Sequence, residues 1–327
     1  MATEKARQLL ARLAATPDAA VPNLPFLHRA LLLPLLSAAS ALLRLPVILS
    51  SPLRSRRTLP VPVISVGNLT WGGNGKTPMV DFLARRFHAM GVSPLILTRG
   101  YAGGDESKML RRRLADTSTK IGVGANRAAV GSSMLQKYGH VDPCDDFCRE
   151  KFLSACNRVA SGKSAKIGVA ILDDGMQHRS LLRDVEIVMV NGLTPWGNTH
   201  FIPRGPMREP LSALTRADIV VIHHADLIGP LNVDRLDFSD HHFFNDYDLE
   251  LIQERVRQLV DQHNKETVVL VTEKDYDRDP DVLRMLGVKV WVLSSSLQIM
   301  PFKEQGEDEL LRKLKDIITA TRHVVQP

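Results

Sequence analysis

The chain has 327 residues, of which 44% are hydrophobic and 24% are charged, so it is long and apolar enough to bury a large core. This composition excludes an intrinsically disordered chain, a collagen-like repeat and a small disulfide-stabilised scaffold. The net charge of +6 is concentrated locally, because no acidic residue lies between Asp18 and Asp81 whereas six basic residues do. This basic segment predicts a surface that faces anions or lipid headgroups.

The first predicted element is an apolar helix near the N-terminus. Residues 30–43 carry no charge, but Pro34 interrupts them, and Arg44 and Pro46 follow. A spanning helix needs about 20 apolar residues, so this segment is too short to cross a bilayer. We expect a helix that lies in the membrane interface, with the arginines of residues 54–57 at the lipid headgroups. A buried core helix that precedes the first strand is the alternative.

After residue 60, short β-branched segments alternate with helical stretches, which is typical of a parallel sheet covered by helices. Strands are predicted at residues 61–66, 94–97, 167–172, 185–190, 219–222, 267–271 and 288–293. Helices are predicted at residues 78–90, 127–138, 147–161, 249–264 and 308–321. The sequence therefore predicts an α/β protein.

The strongest local signal is a glycine-rich loop between a buried strand and a helix, in the sequence VISVGNLTWGGNGKTPM. Glycines in such a loop let backbone N–H groups turn toward phosphate oxygens, and the following helix adds its dipole. Lys76 is placed to reach terminal phosphates, and Thr77 to hold Mg²⁺. Thr70 stands where the phosphate-loop pattern has its first glycine. The order of strand, loop, Lys-Thr and helix nevertheless predicts nucleotide binding.

Polar residues follow other predicted strands. Asp173 and Asp174 end a hydrophobic strand at the edge where open α/β sheets bind ligands, and an aspartate there can bind the Mg²⁺ held by the loop threonine. An ordinary turn is the alternative interpretation of Asp-Asp-Gly. The glycine-rich segment 99–106 supplies carboxylates that can accept a proton from an attacking hydroxyl. Arg204 and Arg208 suit the charge of a transferring phosphoryl group, although isolated arginines are more often surface ion-pair partners.

These residues alone leave a GTPase, an ATPase and a kinase open, because a phosphate loop does not name a reaction. The VTEKD segment at 271–275 has the residue types of a guanine-reading loop, but its lysine stands one place late. Guanine specificity is therefore poorly supported. Farther along the chain, Asp240 beside His241 can set the tautomer of the imidazole or share its proton.

In this order, the segments GNLTWGGNGKTP, LTRGYAGGDE, LDDGMQH, GPMREP, VTEKD and FSDHH resemble the motifs of tetraacyldisaccharide 4'-kinase, an enzyme of the lipid A pathway. The resemblance covers most of residues 20–295 and is greatest to the plant members. It implies transfer of the ATP γ-phosphate to the 4'-hydroxyl of a membrane-borne acylated disaccharide 1-phosphate, which gives lipid IVA. It also implies a P-loop fold, Mg²⁺, a membrane-docking N-terminal helix and, for plant members, a mitochondrial location. No nucleic-acid partner is expected, and no oligomeric state follows from the sequence.

The resemblance also implies roles for individual residues. Asp105 is expected to be the catalytic base with His241 as its dyad partner, while Lys76 and Arg208 contact phosphoryl groups. The Mg²⁺ site is expected to comprise Thr77, Asp174, Gln177 and Glu209. The ATP loop is expected to comprise Thr70, Trp71, Gly72, Gly73, Asn74, Gly75, Lys76 and Thr77.

The chain departs from the family in its second half. Only residues 228–239 separate the HHADL and DHH motifs, where the family usually has several tens of residues. The second lobe is therefore predicted to lack about one βαβ unit, of roughly 30 residues. We predict an interfacial segment at 1–57, a P-loop kinase core at 58–227 and a shortened α/β lobe at 228–327. A catalytically silent nucleotide-binding membrane protein and a P-loop GTPase for metal or cofactor delivery are the alternatives.

Overall fold

The computed structural model describes the chain in segments. Described are residues 16, 21, 25–49, 56–72, 74–100, 105–141, 166–192, 195–223, 236, 243–263, 267–293, 297–299 and 306–323. The predicted helix at 147–161, the predicted boundary at 227–235 and the histidines of the DHH motif lie outside the described residues.

The larger sheet has six parallel strands in the order β3-β2-β4-β1-β5-β6. Its strands are β1 (Val63–Gly67), β2 (Ser93–Thr98), β3 (Lys120–Val123), β4 (Ile167–Asp173), β5 (Val185–Asn191) and β6 (Ile219–His223). A second sheet pairs β7 (Val269–Thr272) with β8 (Val290–Leu293), also in parallel. The parallel α/β architecture predicted from the sequence is confirmed. Strand β3 was not predicted, because it is a short and partly exposed edge strand that begins with lysine.

Helices connect these strands. They are α1 (Leu33–Leu49), α2 (Lys76–Ala89), α3 (Asp105–Arg113), α4 (Arg127–Tyr138), α5 (Asp246–His263), α6 (Glu273–Arg278), α7 (Pro280–Arg284) and α8 (Glu307–His323). The predicted helices at 78–90, 127–138, 249–264 and 308–321 correspond to α2, α4, α5 and α8. The sequence pattern missed α3, α6 and α7, which are short and rich in charged residues.

The core of the larger sheet consists of β-branched and leucine side chains of the strands, together with side chains of the helices that cover them. Helix α4 contributes Ala128 and Leu135, which pack with Leu97 of β2 and Leu172 of β4. Helix α2 packs on β1, β2 and β4 and buries Leu83 completely. The central strands β1 and β4 are buried along their whole length, so their carboxyl ends are held in one rigid frame.

The described chain divides into two compact units. The first comprises Met1–Arg99, Leu114–Asp226 and Leu297–Pro327, and the second comprises Gly100–Arg113 and Leu227–Ser296. Helix α3 therefore belongs with the second unit, although it lies between β2 and β3 in the sequence. The core of the second unit includes Leu249, Ile252, Leu283 and Leu286. The division at residues 57 and 227 stays a prediction.

The N-terminal helix α1 follows a π-helical turn at His28–Leu32 and continues through both Pro34 and Pro46. Its Ser40 Oγ donates to the carbonyl oxygen of Phe201 at 2.8 Å and accepts from the N–H of Arg204 at 3.1 Å. Leu31 and Leu35, one helical turn apart, are 61% and 59% exposed. Among the described helices, none combines the length and the apolarity that crossing a bilayer requires.

Candidate functional site

The glycine-rich loop runs from the end of β1 to the start of α2. Gly72 and Gly75 have φ values of +118° and +76°, in the left-handed region that glycine tolerates best. Gly75 is the N-cap residue of α2, so the first helical residue is Lys76 and the second is the buried Thr77. The loop thus presents a helix N-terminus, a lysine and a threonine at one place, as the sequence predicted.

Asn68 ties the loop to the segments around it. Its buried side chain donates from Nδ2 to the carbonyl oxygen of Thr70 at 2.5 Å and accepts from Arg208 Nη1 at 3.2 Å. The carbonyl oxygen of Asn68 accepts from Gln177 Nε2 at 3.0 Å. Asn74 closes the loop from the other side, because its Nδ2 donates to Thr70 Oγ1 at 3.0 Å. Asn68, which the sequence analysis did not select, therefore contacts three predicted site residues, Thr70, Arg208 and Gln177.

The Asp-Asp-Gly turn that follows β4 lies directly beside this loop. Asp173 pairs with Val66 across the sheet, so the two strands deliver their next residues to the same edge. A Cβ at Gly67 would stand 2.4 Å from the Cβ of Met176, so only glycine permits this approach. Asp174 has φ +51°, a left-handed conformation that is uncommon for aspartate and is often found at functional sites.

Two arginines hold the carbonyl oxygens of this turn. Arg127 Nη1 donates to the carbonyl oxygens of Asp173 and Asp174, each at 2.8 Å. Arg183 donates to the carbonyl oxygens of Gly175 at 3.1 Å and His178 at 2.8 Å. These hydrogen bonds to charged donors stabilise the left-handed residue and fix the direction of its carboxylate.

The carboxylate of Asp174 is the centre of the charge distribution. Arg208 binds it with both nitrogens of its fork, Nη1 to Oδ1 at 2.7 Å and Nη2 to Oδ2 at 3.0 Å. Lys76 Nζ lies 3.6 Å from Oδ1. Burial opposes ionisation, but the hydrogen bond from Arg208 and the charges of Lys76, Arg208 and Arg127 outweigh it and lower the pKa of Asp174 from 3.8 to about 2. Asp174 is therefore an anion at any physiological pH and a poor proton acceptor.

This ion cluster should contribute to stability in a pH-dependent way. A pKa that falls from 3.8 unfolded to about 2 folded corresponds to about 2 kcal/mol of stability. The contribution is complete above the unfolded pKa and disappears as the pH falls through the folded pKa. We expect Asp174→Asn to lower the free energy of unfolding by this amount at pH 7. Urea unfolding of both proteins should show the difference shrinking below pH 4, and a difference that stays constant down to pH 2 would contradict the assignment.

Glu209 and Gln177 offer further oxygen atoms near this edge of the sheet. Glu209 is buried, and its Oε2 accepts from Arg179 and Arg216, each at 2.7 Å. Its Oε1 and the Oε1 of Gln177 are buried without a hydrogen-bond partner among the described residues. Buried oxygens of this kind are suited to a hard cation such as Mg²⁺. The described part of the chain contains no group of three or more histidine, cysteine, aspartate or glutamate residues around one point.

The other predicted site residues are distributed as follows. Trp71 is 61% exposed on the loop, and Gly73 and His241 lie outside the described residues. Asp105 is the first residue of α3, in the second unit. The sequence reasoning missed Asn68 and Arg183 as supports of the site. The position of Asn68 next to the loop was a usable signal, whereas nothing in the sequence marked Arg183.

Comparisons with known proteins point to one family. The family described as LpxK, tetraacyldisaccharide-1-P 4'-kinase, matches residues 28–229. A protein of Arabidopsis thaliana named probable tetraacyldisaccharide 4'-kinase, mitochondrial, is 42% identical over 380 residues, which covers 92% of this chain and 95% of the relative. The tetraacyldisaccharide 4'-kinase of Syntrophus aciditrophicus is 40% identical over 171 residues, or 50% of this chain and 42% of the relative.

A crystal structure of LpxK from Aquifex aeolicus in complex with ATP has the same fold. The TM-score is 0.50 at 22% identity, and the likeness covers 89% of this chain and 99% of that chain. It confirms the predicted P-loop fold. The alignment with the Arabidopsis protein extends over 380 residues, more than the 327 of this chain, so the relative has residues without a counterpart here.

Proposed function

Because the chain belongs to the tetraacyldisaccharide-1-P 4'-kinase family, we propose that it transfers the γ-phosphate of ATP to the 4'-hydroxyl of a tetraacyldisaccharide 1-phosphate, which yields lipid IVA. The observation that carries the proposal is the arrangement of Lys76, Asp174 and Arg208 beside the glycine-rich loop. These are the charges that phosphoryl transfer requires, because catalysis of this reaction consists largely of positioning and charge stabilisation.

The loop residues would bind ATP. Positive φ angles at Gly72 and Gly75 open the backbone toward a ligand, and the N-terminus of α2 favours a negative charge. The side chain of Lys76 is only 15% exposed, so its ammonium group is partly desolvated and interacts more strongly with phosphates. The exposed ring of Trp71 lies on the same loop and is available for contact with the nucleotide.

The residues present also fit Mg²⁺. Asp174 stays ionised, and Gln177 and Glu209 each have a buried oxygen atom without a hydrogen-bond partner among the described residues. Thr77 occupies the second position of α2, where a hydroxyl can complete the oxygen set. When bound, Mg²⁺ neutralises charge on the β- and γ-phosphates.

The proton of the acceptor hydroxyl needs a base, and Asp105 is the proposed one. The hydroxyl oxygen forms a bond to the γ-phosphorus, its proton passes to the Asp105 carboxylate, and the bond from phosphorus to the bridging oxygen breaks to release ADP. Asp174 is unsuited to this step because its pKa of about 2 makes it too weak a base. His241 is the proposed dyad partner of Asp105, and Arg208 the proposed contact of the transferring phosphoryl group.

The acceptor position can be tested with two lipids. Labelled γ-phosphate should pass from ATP to tetraacyldisaccharide 1-phosphate. It should not pass to the same lipid when a phosphate already occupies the 4'-hydroxyl. Equal labelling of the two lipids would overturn the proposed acceptor site.

We further propose that α1 docks on a bilayer. The exposed side chains of Leu31, Leu35 and Leu42 recur at one-turn and two-turn spacing, so they form an apolar row on one side of the helix. Burying a leucine contributes about 1.5 kcal/mol or more. The name of the Arabidopsis relative supports a mitochondrial location for this chain as well.

Replacing Leu31 and Leu35 together by serine should weaken binding to liposomes that contain anionic lipid by at least ~10-fold. Neither side chain contributes to the core, so thermal stability should not change. Leu182 and Leu211, 39% and 42% exposed elsewhere on the first unit, provide the matched double serine control. Sedimentation with liposomes is the measurement, and equal losses in both variants would place the membrane contact elsewhere.

A nucleotide-binding membrane protein without transferase activity is the second candidate. The observation that favours it is that the Arabidopsis relative has residues without a counterpart in this chain. ATP binding without transfer to either lipid would support this candidate over the kinase.

A further inference from the structure

The VTEKD segment has no role in the proposed chemistry, yet each of its polar side chains is engaged. Thr272 ends β7 and caps α6, and Asp275 completes the capping box by accepting from the N–H of Thr272 at 3.3 Å. Asp275 also accepts from Arg278 at 3.1 Å. Glu273 and Lys274 instead extend to α3. The segment therefore forms the start of the short helix α6 and directs the charges of Glu273 and Lys274 toward α3.

Helix α6 holds α3 at both ends. In the first turn of α3, Lys274 Nζ donates to Glu106 Oε1 at 2.5 Å. In the last turn, Arg112 forks onto Asp277 at 2.9 and 3.0 Å and contacts Glu273 at 2.9 Å. All of these residues lie in the second unit, so the contacts are internal to it.

The attachment is partly buried, because its carboxylates are shielded from solvent whereas Arg112 is 48% exposed. The side chains of Glu273 and Asp277 are each only 8% exposed, and a paired fork between arginine and carboxylate is both strong and directional. Arg113 adds a further contact to Glu273 at 3.3 Å. A helix as short as α3 is marginal by itself, since isolated helices below about 12 residues rarely persist in water. The ion pairs with α6 therefore help to hold α3 in place, together with the buried side chains of Met109 and Leu110.

The first residue of α3 is Asp105. We infer that Lys274 and Asp277 are positioning residues, which fix the helix that carries the proposed base, Asp105, through Glu106 and Arg112. This inference rests on the proposed role of Asp105. A displacement of about 1 Å at a reacting group can cost up to ~100-fold in rate, so loosening either end of α3 should be measurable in turnover.

The test compares four single variants of the full chain. Lys274→Met and Asp277→Asn should each lower kcat about 10-fold and leave KM for ATP unchanged, because the proposed base acts on the acceptor hydroxyl and not on ATP. Lys274→Arg should retain wild-type kcat, since it keeps the charge. Asp281→Asn is the matched control, because this aspartate pairs with Arg284 at 2.7 Å on the exposed surface of α7. All assays are made well below the melting temperature of each variant.

Amide hydrogen exchange of residues 106–113 provides a readout that needs no activity. Exchange in this segment should be faster in Lys274→Met and Asp277→Asn than in Asp281→Asn and Lys274→Arg. Exchange and kcat equal to those of the control, or a rise in KM for ATP at unchanged kcat, would overturn the inference. Full activity of Asp105→Asn would instead overturn the assignment of the base, while the exchange rates still judge the attachment of α3.

Discussion

Asp105→Asn is expected to lower kcat about 10²- to 10⁴-fold, the contribution usual for a general base. The amide keeps the size of the side chain but cannot accept the proton of the sugar hydroxyl. KM for ATP should stay unchanged, because the proposed role of Asp105 is to accept the proton of the acceptor hydroxyl and not to bind ATP. Steady-state transfer assays with the lipid acceptor measure both quantities.

Asp116→Asn is the control for this prediction. The side chain of Asp116 is 72% exposed and pairs only at 3.5 Å with Arg85, so its loss should not alter turnover. Wild-type kcat in Asp105→Asn would remove Asp105 from the mechanism.

Lys76→Ala should reduce kcat/KM about 10²- to 10³-fold, as expected when a positioned charge on the transferring group is lost. The fold should survive this change, because Asp174 keeps its paired contact with Arg208 when the lysine is absent. Lys76 is the first residue of α2, and the loop sequence 70–77 contains no other lysine or arginine that could take its place.

The exposed Lys313 of α8 provides the control Lys313→Ala, which should behave as the wild type. Binding of a fluorescent ATP analogue separates the two possible causes of a loss. Weaker binding with equal loss in kcat/KM indicates a ground-state contact, whereas a fall in kcat indicates a contact that strengthens in the transition state. Unchanged kcat/KM in Lys76→Ala would contradict the proposed phosphate loop.

The periodicity of the sequence was sufficient to predict the parallel sheet. Strand β4 is an almost continuous apolar segment that only a doubly covered sheet can bury, and its buried pattern agrees. Helix α3 was missed because DESKMLRRR has almost no apolar periodicity, with Met109 and Leu110 its main buried apolar residues. Tertiary ion pairs to α6 and the burial of these two side chains stabilise it, and a single sequence does not reveal such partners.

The sequence predicted the site residues that follow strands, but not the contacts between residues far apart in the chain. Lys76, Thr77 and Asp174 follow strands, so their meeting at one edge of the sheet follows from the topology. The fork between Arg208 and Asp174 joins residues 34 positions apart, and the sequence provides no distance between them. The same holds for Arg183, which holds the Asp-Asp-Gly turn through backbone carbonyl groups that any residue carries.

The sequence also did not predict that α3 belongs to the second unit. In the sequence it stands between two strands of the larger sheet, and connections of this kind usually cover the sheet they join. Its charges match those of α6 instead, since Arg112 and Glu106 meet Asp277 and Lys274. Contacts between residues far apart in the sequence, and not the local pattern, place this helix in the second unit.

The central claim is that this chain is an active kinase despite the residues it lacks relative to its Arabidopsis relative. The most direct measurement is transfer of labelled γ-phosphate from ATP to detergent-solubilised tetraacyldisaccharide 1-phosphate, with Lys76→Ala as the blank. The account predicts a lipid product above the blank that depends on Asp105. Undiminished ATP binding with no labelled lipid would contradict it and identify the chain as a nucleotide-binding protein without transferase activity.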